Sequence, residues 1–258
     1  MAYLFFIGTG SGKISKTRSH SSILIFTSNY NLLIDAGDGI PKAFLTHNID
    51  FNSIDGILLT HLHPDHYTGL TSLIVQMKMY ERTKDLNIFI NSGLEKVVKD
   101  FINNSYLYPD RLGFEINYHS FNDNNLFKVS DEINFIARQN SHLASVAEFK
   151  QNPEQSFSCN SFLFSIENKK IFYTSDVGSE DDIHLFDDIK YGYLISEITH
   201  IQPKGIVDKV VKDKSDSQII FTHYSDEDIA DIEKFIDNLK KDLKSRVILA
   251  GDGLKIAL

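Results

Sequence analysis

Gly56-Ile57-Leu58-Leu59-Thr60-His61-Leu62-His63-Pro64-Asp65-His66 is the stretch on which the reading of this chain turns. Its first part is apolar, the pattern of a buried strand. Pro64 cannot donate to a strand ladder, so the chain must turn there. A turn at a strand end lets neighbouring side chains converge, and three histidines and an aspartate fall within residues 61–66. Imidazole nitrogen with carboxylate oxygen is a donor set for zinc and other borderline transition metals. The motif therefore predicts a metal site at a sheet edge.

The arrangement recurs away from the motif. Asp35 closes Leu32-Leu33-Ile34, and His142 follows a strand expected over 133–138. Asp176 closes the run 171–175, and His223 closes 219–222. One aspartate after a strand is ordinarily a turn former. Four His or Asp residues so placed, together with the hexapeptide, predict a shared site. Further strands are predicted over 3–7, 22–27, 31–35, 57–59, 87–90, 114–120, 161–166, 171–174, 193–195, 218–221 and 247–249. Helices are predicted over 70–80, 94–102, 206–212 and 226–239, the last with Ser225 as its N-cap. Two sets of short strands with helices between them imply an α/β fold of two sheets sandwiched by helices.

Composition narrows the class. The chain has 258 residues, 42% of them hydrophobic, enough for one domain spanning 1–258. A net charge of −9 argues against an electrostatic grip on long nucleic acid. Cys159 is the sole cysteine, which excludes an intramolecular disulfide and a thiolate cluster and reads as a buried core thiol. The opening, Met1 to Gly8, lacks the basic and long apolar regions of a signal peptide, and no apolar run reaches the length of a membrane span. A cytoplasmic protein without a membrane partner is expected.

The ordered series Asp35, His61-x-His63-x-Asp65-His66, His142, Asp176 and His223 resembles the motifs of the metallo-β-lactamase superfamily. The resemblance spans nearly the whole chain, including Ala250-Gly251-Asp252-Gly253-Leu254-Lys255-Ile256. It implies a four-layer αβ/βα sandwich of two mixed β-sheets flanked by helices, with two divalent metal ions at the sheet edge. Zinc is foremost, with manganese or iron as alternatives. Carried over by position, His61, His63 and His142 would hold one metal and Asp65, His66 and His223 the other. Asp176 would bridge them, and Asp35 would orient the ligands from behind.

Finer details resemble the ribonuclease Z and cyclic-phosphodiesterase branch. They are Gly8-Thr9-Gly10-Ser11-Gly12, Asp65-His66-Tyr67-Thr68-Gly69-Leu70, and Ser196-Glu197-Ile198-Thr199-His200. The last resembles two of that branch's catalytic segments fused, with serine at 196 where the branch has histidine. The resemblance implies His200 as general acid, Glu197 as its orienting partner and Asp65 as a further catalytic group. The implied activity is hydrolysis of a small phosphodiester, cyclic-nucleotide-like, or of an RNA 3′ end, by a hydroxide shared between the metals. Backbone amides of Gly8 to Gly12 are candidate phosphate contacts, although a tight turn explains those glycines equally well. The loop is not a Walker P-loop, since Lys13 is followed by Ile14.

One departure bears on the substrate. Ribonuclease Z enzymes of this kind carry a long glycine- and proline-rich arm that clamps tRNA. Here only 33 residues, 143–175, separate His142 from Asp176, with no glycine and Pro153 as the sole proline. That favours a small phosphodiester over tRNA. A homodimer is implied by the same resemblance.

Other readings use the same residues. A lactonase or thioesterase would employ the same ligands, because the nucleophile attacks carbonyl carbon as readily as phosphorus. A β-lactamase is disfavoured, since many such enzymes place cysteine where Asp176 stands. Di-iron redox or sensor proteins of this superfamily usually carry glutamate where this chain has His63. His20 and Tyr67 are weaker candidates for lining the pocket. His47, His119 and His184 read as surface or packing residues.

Overall fold

Apolar runs without polar alternation, such as Leu4-Phe5-Phe6-Ile7 and Ile23-Leu24-Ile25, fold as strands covered on both faces. The computed structural model describes residues 2–151 and 155–258, so Pro153 lies outside the described residues. In chain order the strands of the first sheet are β1 (Tyr3–Gly8), β2 (Ser22–Phe26), β3 (Asn31–Ile34), β4 (Gly56–Leu58), β5 (Leu86–Asn91) and β6 (Ile116–Phe121). Those of the second are β7 (Leu126–Lys128), β8 (Ile133–Gln139), β9 (Asn160–Ile166), β10 (Lys169–Tyr173), β11 (Tyr193–Glu197), β12 (Gln218–Thr222) and β13 (Val247–Leu249). A last strand, β14 (Lys255–Ala257), returns to the first sheet. The spatial orders are β14-β1-β2-β3-β4-β5-β6 and β13-β12-β11-β10-β9-β8-β7. Both sheets are mixed: β3 to β6 and β10 to β13 run parallel, and the remaining pairs are antiparallel.

Strand alternation sorts the apolar residues into three layers. Leu4 and Phe6 enter the core between the sheets with Phe135, Phe162 and Phe164. Phe5 and Ile7 face the other way, into a core shared with the helices Ile40–Thr46, Leu70–Met79 and Glu95–Asn104. Across the molecule Leu163, Phe172 and Phe221 pack against the helices Pro203–Lys212 and Ile229–Asp237. Burying each large apolar side chain contributes about 1.5–3 kcal/mol, so these layers supply the main drive to the αβ/βα sandwich.

Several elements differ from expectation. The helix Ile40–Thr46 was hidden by the preceding Gly37-Asp38-Gly39, which reads as a turn, yet Ile40, Ala43 and Phe44 have helical spacing and are buried. Pro64 turns the chain by opening a short helix, Pro64–Tyr67. The segment expected as one helix over 226–239 opens as a 3-10 turn, Asp226–Asp228, before the helix Ile229–Asp237. Ser225 makes no side-chain cap there; its Oγ lies 3.0 Å from Ser11 Oγ instead. Among the described residues, no helix is long and apolar enough to cross a membrane.

Parallel strands bring their C-terminal ends to one edge. Asp35 follows β3, His61 to His66 follow β4, Asp176 follows β10, Glu197 ends β11 and His223 follows β12. His142 arrives after β8, which runs antiparallel to β9 and hence alongside β10 in direction.

Candidate metal centre

Two groups of donors meet at this edge. His61, His63, His142 and Asp176 each offer one ligand atom, and these atoms lie within 4.8 Å of one another. Asp65, His66, Asp176 and His223 form a second group by the same measure. Asp176 is common to both, and its oxygens divide between them. Oδ2 lies 3.9 Å from His61 Nε2 and 3.7 Å from His142 Nε2. Oδ1 lies 3.4 Å from both His66 Nε2 and His223 Nε2. Asp65 Oδ2 completes the second group at 3.2 Å from His223 Nε2 and 3.5 Å from His66 Nε2. His63 Nδ1 is 3.0 Å from His142 Nε2 in the first. Donors around a tetrahedral zinc with bonds near 2.0–2.1 Å stand roughly 3.3–3.4 Å apart, so these spacings are those of a ligand set.

The donors are also unsatisfied in a way that fits a cation. His61 Nε2, His66 Nε2 and Asp176 Oδ1 are buried without a partner in hydrogen-bonding geometry. Each such group costs about 1–3 kcal/mol; an ion in the first group would satisfy His61 Nε2, and one in the second would satisfy His66 Nε2 and Asp176 Oδ1. Burial pushes the imidazoles of His61, His63 and His142 below their ordinary range and keeps them in the neutral, ligating form. Burial acts on His66 likewise, but the carboxylates of Asp176 and Asp35 outweigh it and hold its proton affinity well above normal. Burial would raise Asp65 and Asp176; the facing imidazoles, His223 and His66 foremost, hold both below the usual carboxylate range instead. The pocket demands positive charge, and its His and Asp donors fit divalent metals.

One buried carboxylate aims two of the histidines. Asp35 Oδ2 accepts from His66 Nδ1–H at 2.7 Å and from the Thr60 hydroxyl at 2.8 Å, while Oδ1 accepts the Thr60 amide at 2.8 Å. Having donated to Asp35, Thr60 Oγ1 accepts from His61 Nδ1–H at 3.0 Å. Both imidazoles are thereby fixed in the tautomer that presents Nε2 to the site. The chain leaves β3 at Asp35, β10 at Ser175 and β12 at His223 through left-handed backbone, with φ of 61°, 54° and 53°. Conformations of that kind cost about 1–2 kcal/mol each for residues other than glycine. Two glycines permit the tight packing beside Asp35. A Cβ on Gly37 would stand 1.9 Å from the Asp65 carbonyl oxygen, and one on Gly69 would stand 2.0 Å from that of Gly37.

The opposite wall is tied together by residues that sequence reasoning missed. Asn140 Oδ1 accepts the His142 amide at 3.1 Å, and its Nδ2 donates to the Asp176 carbonyl at 2.8 Å. The buried carboxylate of Asp182 accepts the Ser141 amide at 3.1 Å, the Ser141 hydroxyl at 2.7 Å and the Gly178 amide at 2.8 Å. The Thr199 hydroxyl donates to the His223 carbonyl at 2.5 Å and lies 3.4 Å from His223 Nδ1. Thr60 directly precedes His61 and Asn140 lies two residues before His142, the one signal that could have found them. Thr199 stands inside the segment 196–200 with no role assigned to it from sequence, and Asp182 carries no such mark.

Glu197 and His200 stand beside the donors. Glu197 Oε1 accepts from His200 Nδ1–H at 2.9 Å, and Oε2 accepts the amides of Thr199 at 2.6 Å and His200 at 2.9 Å. The hydrogen bond to Glu197 raises the proton affinity of His200 against the opposing effect of burial, and it leaves Nε2 free. His200, His63, Asp65, Asp176 and His223 line a cavity of about 270 Å³ together with Ser11, Gly12, Lys13, Thr199 and Ser225.

The weaker candidates fall elsewhere. The amides of Thr9 and Gly10 are committed to Asp252 Oδ1 at 2.9 Å and the Ser19 carbonyl at 2.8 Å, so that part of the glycine loop has no amides to offer a phosphate. His20 meets the Ser11 carbonyl through Nδ1 at 2.8 Å and borders a neighbouring cavity. Tyr67 packs on Phe101, its ring centroid 5.0 Å away. Cys159 is buried, which pushes its thiol pKa up, and its sulfur donates to the Asp176 carbonyl at 3.5 Å. His47 stacks edge-on against Phe5, His119 bonds Asn87 and His184 bonds Asp187.

Known proteins share this architecture. The family described as Anti-Pycsar protein Apyc1 matches residues 2–235. Over 116 residues, 45% of this chain, the sequence is 34% identical to Ribonuclease Z of Sulfurisphaera tokodaii, and the match takes in 38% of that protein. The chain thus spans less than half the length of the curated relatives it matches. The metallo-β-lactamase fold protein YhfI from Bacillus subtilis aligns over 100% of both chains with a TM-score of 0.74 at 16% identity. The short form of human tRNase Z aligns over 99% of this chain and 98% of its own, with a TM-score of 0.71 at 18% identity. These likenesses establish the metallo-β-lactamase fold.

Proposed function

This chain belongs to the Anti-Pycsar protein Apyc1 family, and from that premise we propose that it is a metal-dependent phosphodiesterase acting on a small, cyclic-nucleotide-like phosphodiester. The observation that carries the reading is the divided carboxylate of Asp176, one oxygen facing each imidazole group, with His200 beside the same cavity. His61, His63 and His142 would hold one divalent ion, Asp65, His66 and His223 the other, and Asp176 both. Neutral imidazoles with carboxylates suit zinc first, with manganese or iron as alternatives. When bound, the ions would supply Lewis acidity, acidifying water and offsetting charge on the phosphoryl oxygens.

The chain's own residues would do the rest. An alkoxide leaves poorly unless protonated, and His200 would carry that proton on Nε2. Glu197 would hold the ring in place and stabilise its charged form through Nδ1. Asp65, bordering the cavity, would accept a hydrogen bond from the attacking water. A cavity of about 270 Å³ suits a diester with little attached to it. The second reading is cleavage at an RNA 3′ end, favoured by the likeness to a protein named Ribonuclease Z. The proposal takes residues 1–258 as one domain and expects a cytoplasmic homodimer.

The test is hydrolysis of bis(p-nitrophenyl) phosphate with Zn²⁺ or Mn²⁺ supplied, beside a lactone and a thioester, with His200→Ala as control. Diester turnover should fall about 10²- to 10⁴-fold in the variant while its metal content stays intact. Turnover of the lactone or thioester alone would overturn the phosphodiesterase reading.

A further inference from the structure

We propose that Lys13 reads the negative charge of the substrate and makes the cavity select an anionic diester over a neutral ester; the inference rests on the phosphodiesterase reading. A nucleophile generated in this cavity has no intrinsic preference between phosphorus and carbonyl carbon, so something in the wall must choose. Among the residues lining that cavity, which include His63, Asp65, Asp176, His200 and His223, Lys13 is the one lysine or arginine. An ammonium on a flexible four-carbon stem is a point charge well suited to a phosphoryl oxygen.

Two features make that ammonium available. Its ion pair is to Glu227 Oε1 at 2.6 Å, with side chains 61% and 74% exposed. Pairs so exposed contribute little and give way to a stronger anion. The backbone that carries Lys13, by contrast, is held on both sides. Gly12 lies so close to Asp65 that a Cβ there would stand 3.2 Å from Oδ2, and the Ser11 hydroxyl meets Ser225 at 3.0 Å. Downstream, the Arg18 guanidinium bonds Asp226 at 2.6 Å and lies 4.0 Å over the Tyr224 ring. Ser225, Asp226 and Glu227 directly follow His223 and Tyr224 in sequence, so the glycine loop is fastened to the segment that presents a candidate ligand. The stem of Lys13 therefore pivots on a fixed base, with Glu227 as its resting partner and the substrate as its working one.

The experiment compares bis(p-nitrophenyl) phosphate with its neutral methyl triester, the triester scored as substrate or as competitive inhibitor. The proteins are the parent, Lys13→Ala, Lys13→Arg and Glu227→Gln. Lys13→Ala should raise KM for the diester about three- to tenfold with kcat within about twofold, and leave the triester unchanged. Lys13→Arg should recover the parent KM, and Glu227→Gln should lower it by releasing the ammonium. Equal loss on diester and triester, or an unchanged diester KM in Lys13→Ala, would overturn the role of Lys13. Absence of diester turnover in the parent would instead sink the phosphodiesterase reading and this inference with it.

Discussion

Asp35 touches no substrate and faces no solvent, yet it aims two donors at once through His66 Nδ1 and the Thr60 hydroxyl. Replacing such a group typically weakens metal binding about 10- to 100-fold. Asp35→Ala should show that loss in a competition titration against a chromogenic chelator, and parent-like affinity would contradict the role assigned to Thr60 and Asp35. Asp182 works on the opposite wall by satisfying two amides and a hydroxyl from the loops that carry His142 and Asp176. Asp182→Ala should lower stability by roughly 1–3 kcal/mol for each donor left unpaired, read from urea unfolding. Cys159 should resist aromatic disulfide reagents until the protein unfolds, because burial keeps its thiol protonated. At this scale the ligand-type residues were legible because histidine and aspartate directly past apolar runs are uncommon in combination. Their supports were not, because Thr60, Asn140, Asp182 and Thr199 are ordinary turn residues until tertiary contacts bring their partners to them.

At the level of elements, the site depends on how closely its loops and short helices approach. Ala36 donates to the His66 carbonyl at 2.7 Å, which locks the loop after β3 onto the helix Pro64–Tyr67. Gly37 and Gly69 make that approach sterically feasible. Gly69→Ala should therefore lower the melting temperature through overpacking that costs about 1–3 kcal/mol or more. A parent-like transition would show that the backbone contact is not constrained. The helix Leu70–Met79 was legible from its buried positions 70, 73, 74 and 77, a full two-turn stripe. The seven residues of Ile40–Thr46 offer less periodicity and follow a left-handed glycine, which masks them. Strands β7 and β14 have three residues each and exist through pairing with β8 and β1, a tertiary fact no local pattern carries.

At the scale of the molecule, the described residues form two mixed seven-stranded sheets whose site-bearing ends share an edge. Two clusters of apolar strands made that sandwich legible, while the order of strands within each sheet was not, since apolar runs buried on both faces are interchangeable as patterns. The edge also couples folding to metal. Removal of metal leaves Asp65, Asp176 and the facing imidazoles without a compensating cation, so a chelator should lower the melting temperature. Adding metal back should raise stability with free metal concentration, by about 2.7 kcal/mol at a hundred times Kd. The most direct measurement of the central claim joins metal to chemistry: bis(p-nitrophenyl) phosphate turnover, followed as zinc or manganese is titrated into metal-stripped protein. The paired site predicts negligible turnover at the start and a plateau near about two equivalents per chain. Full turnover in the stripped protein, or none once two equivalents are bound, would contradict it.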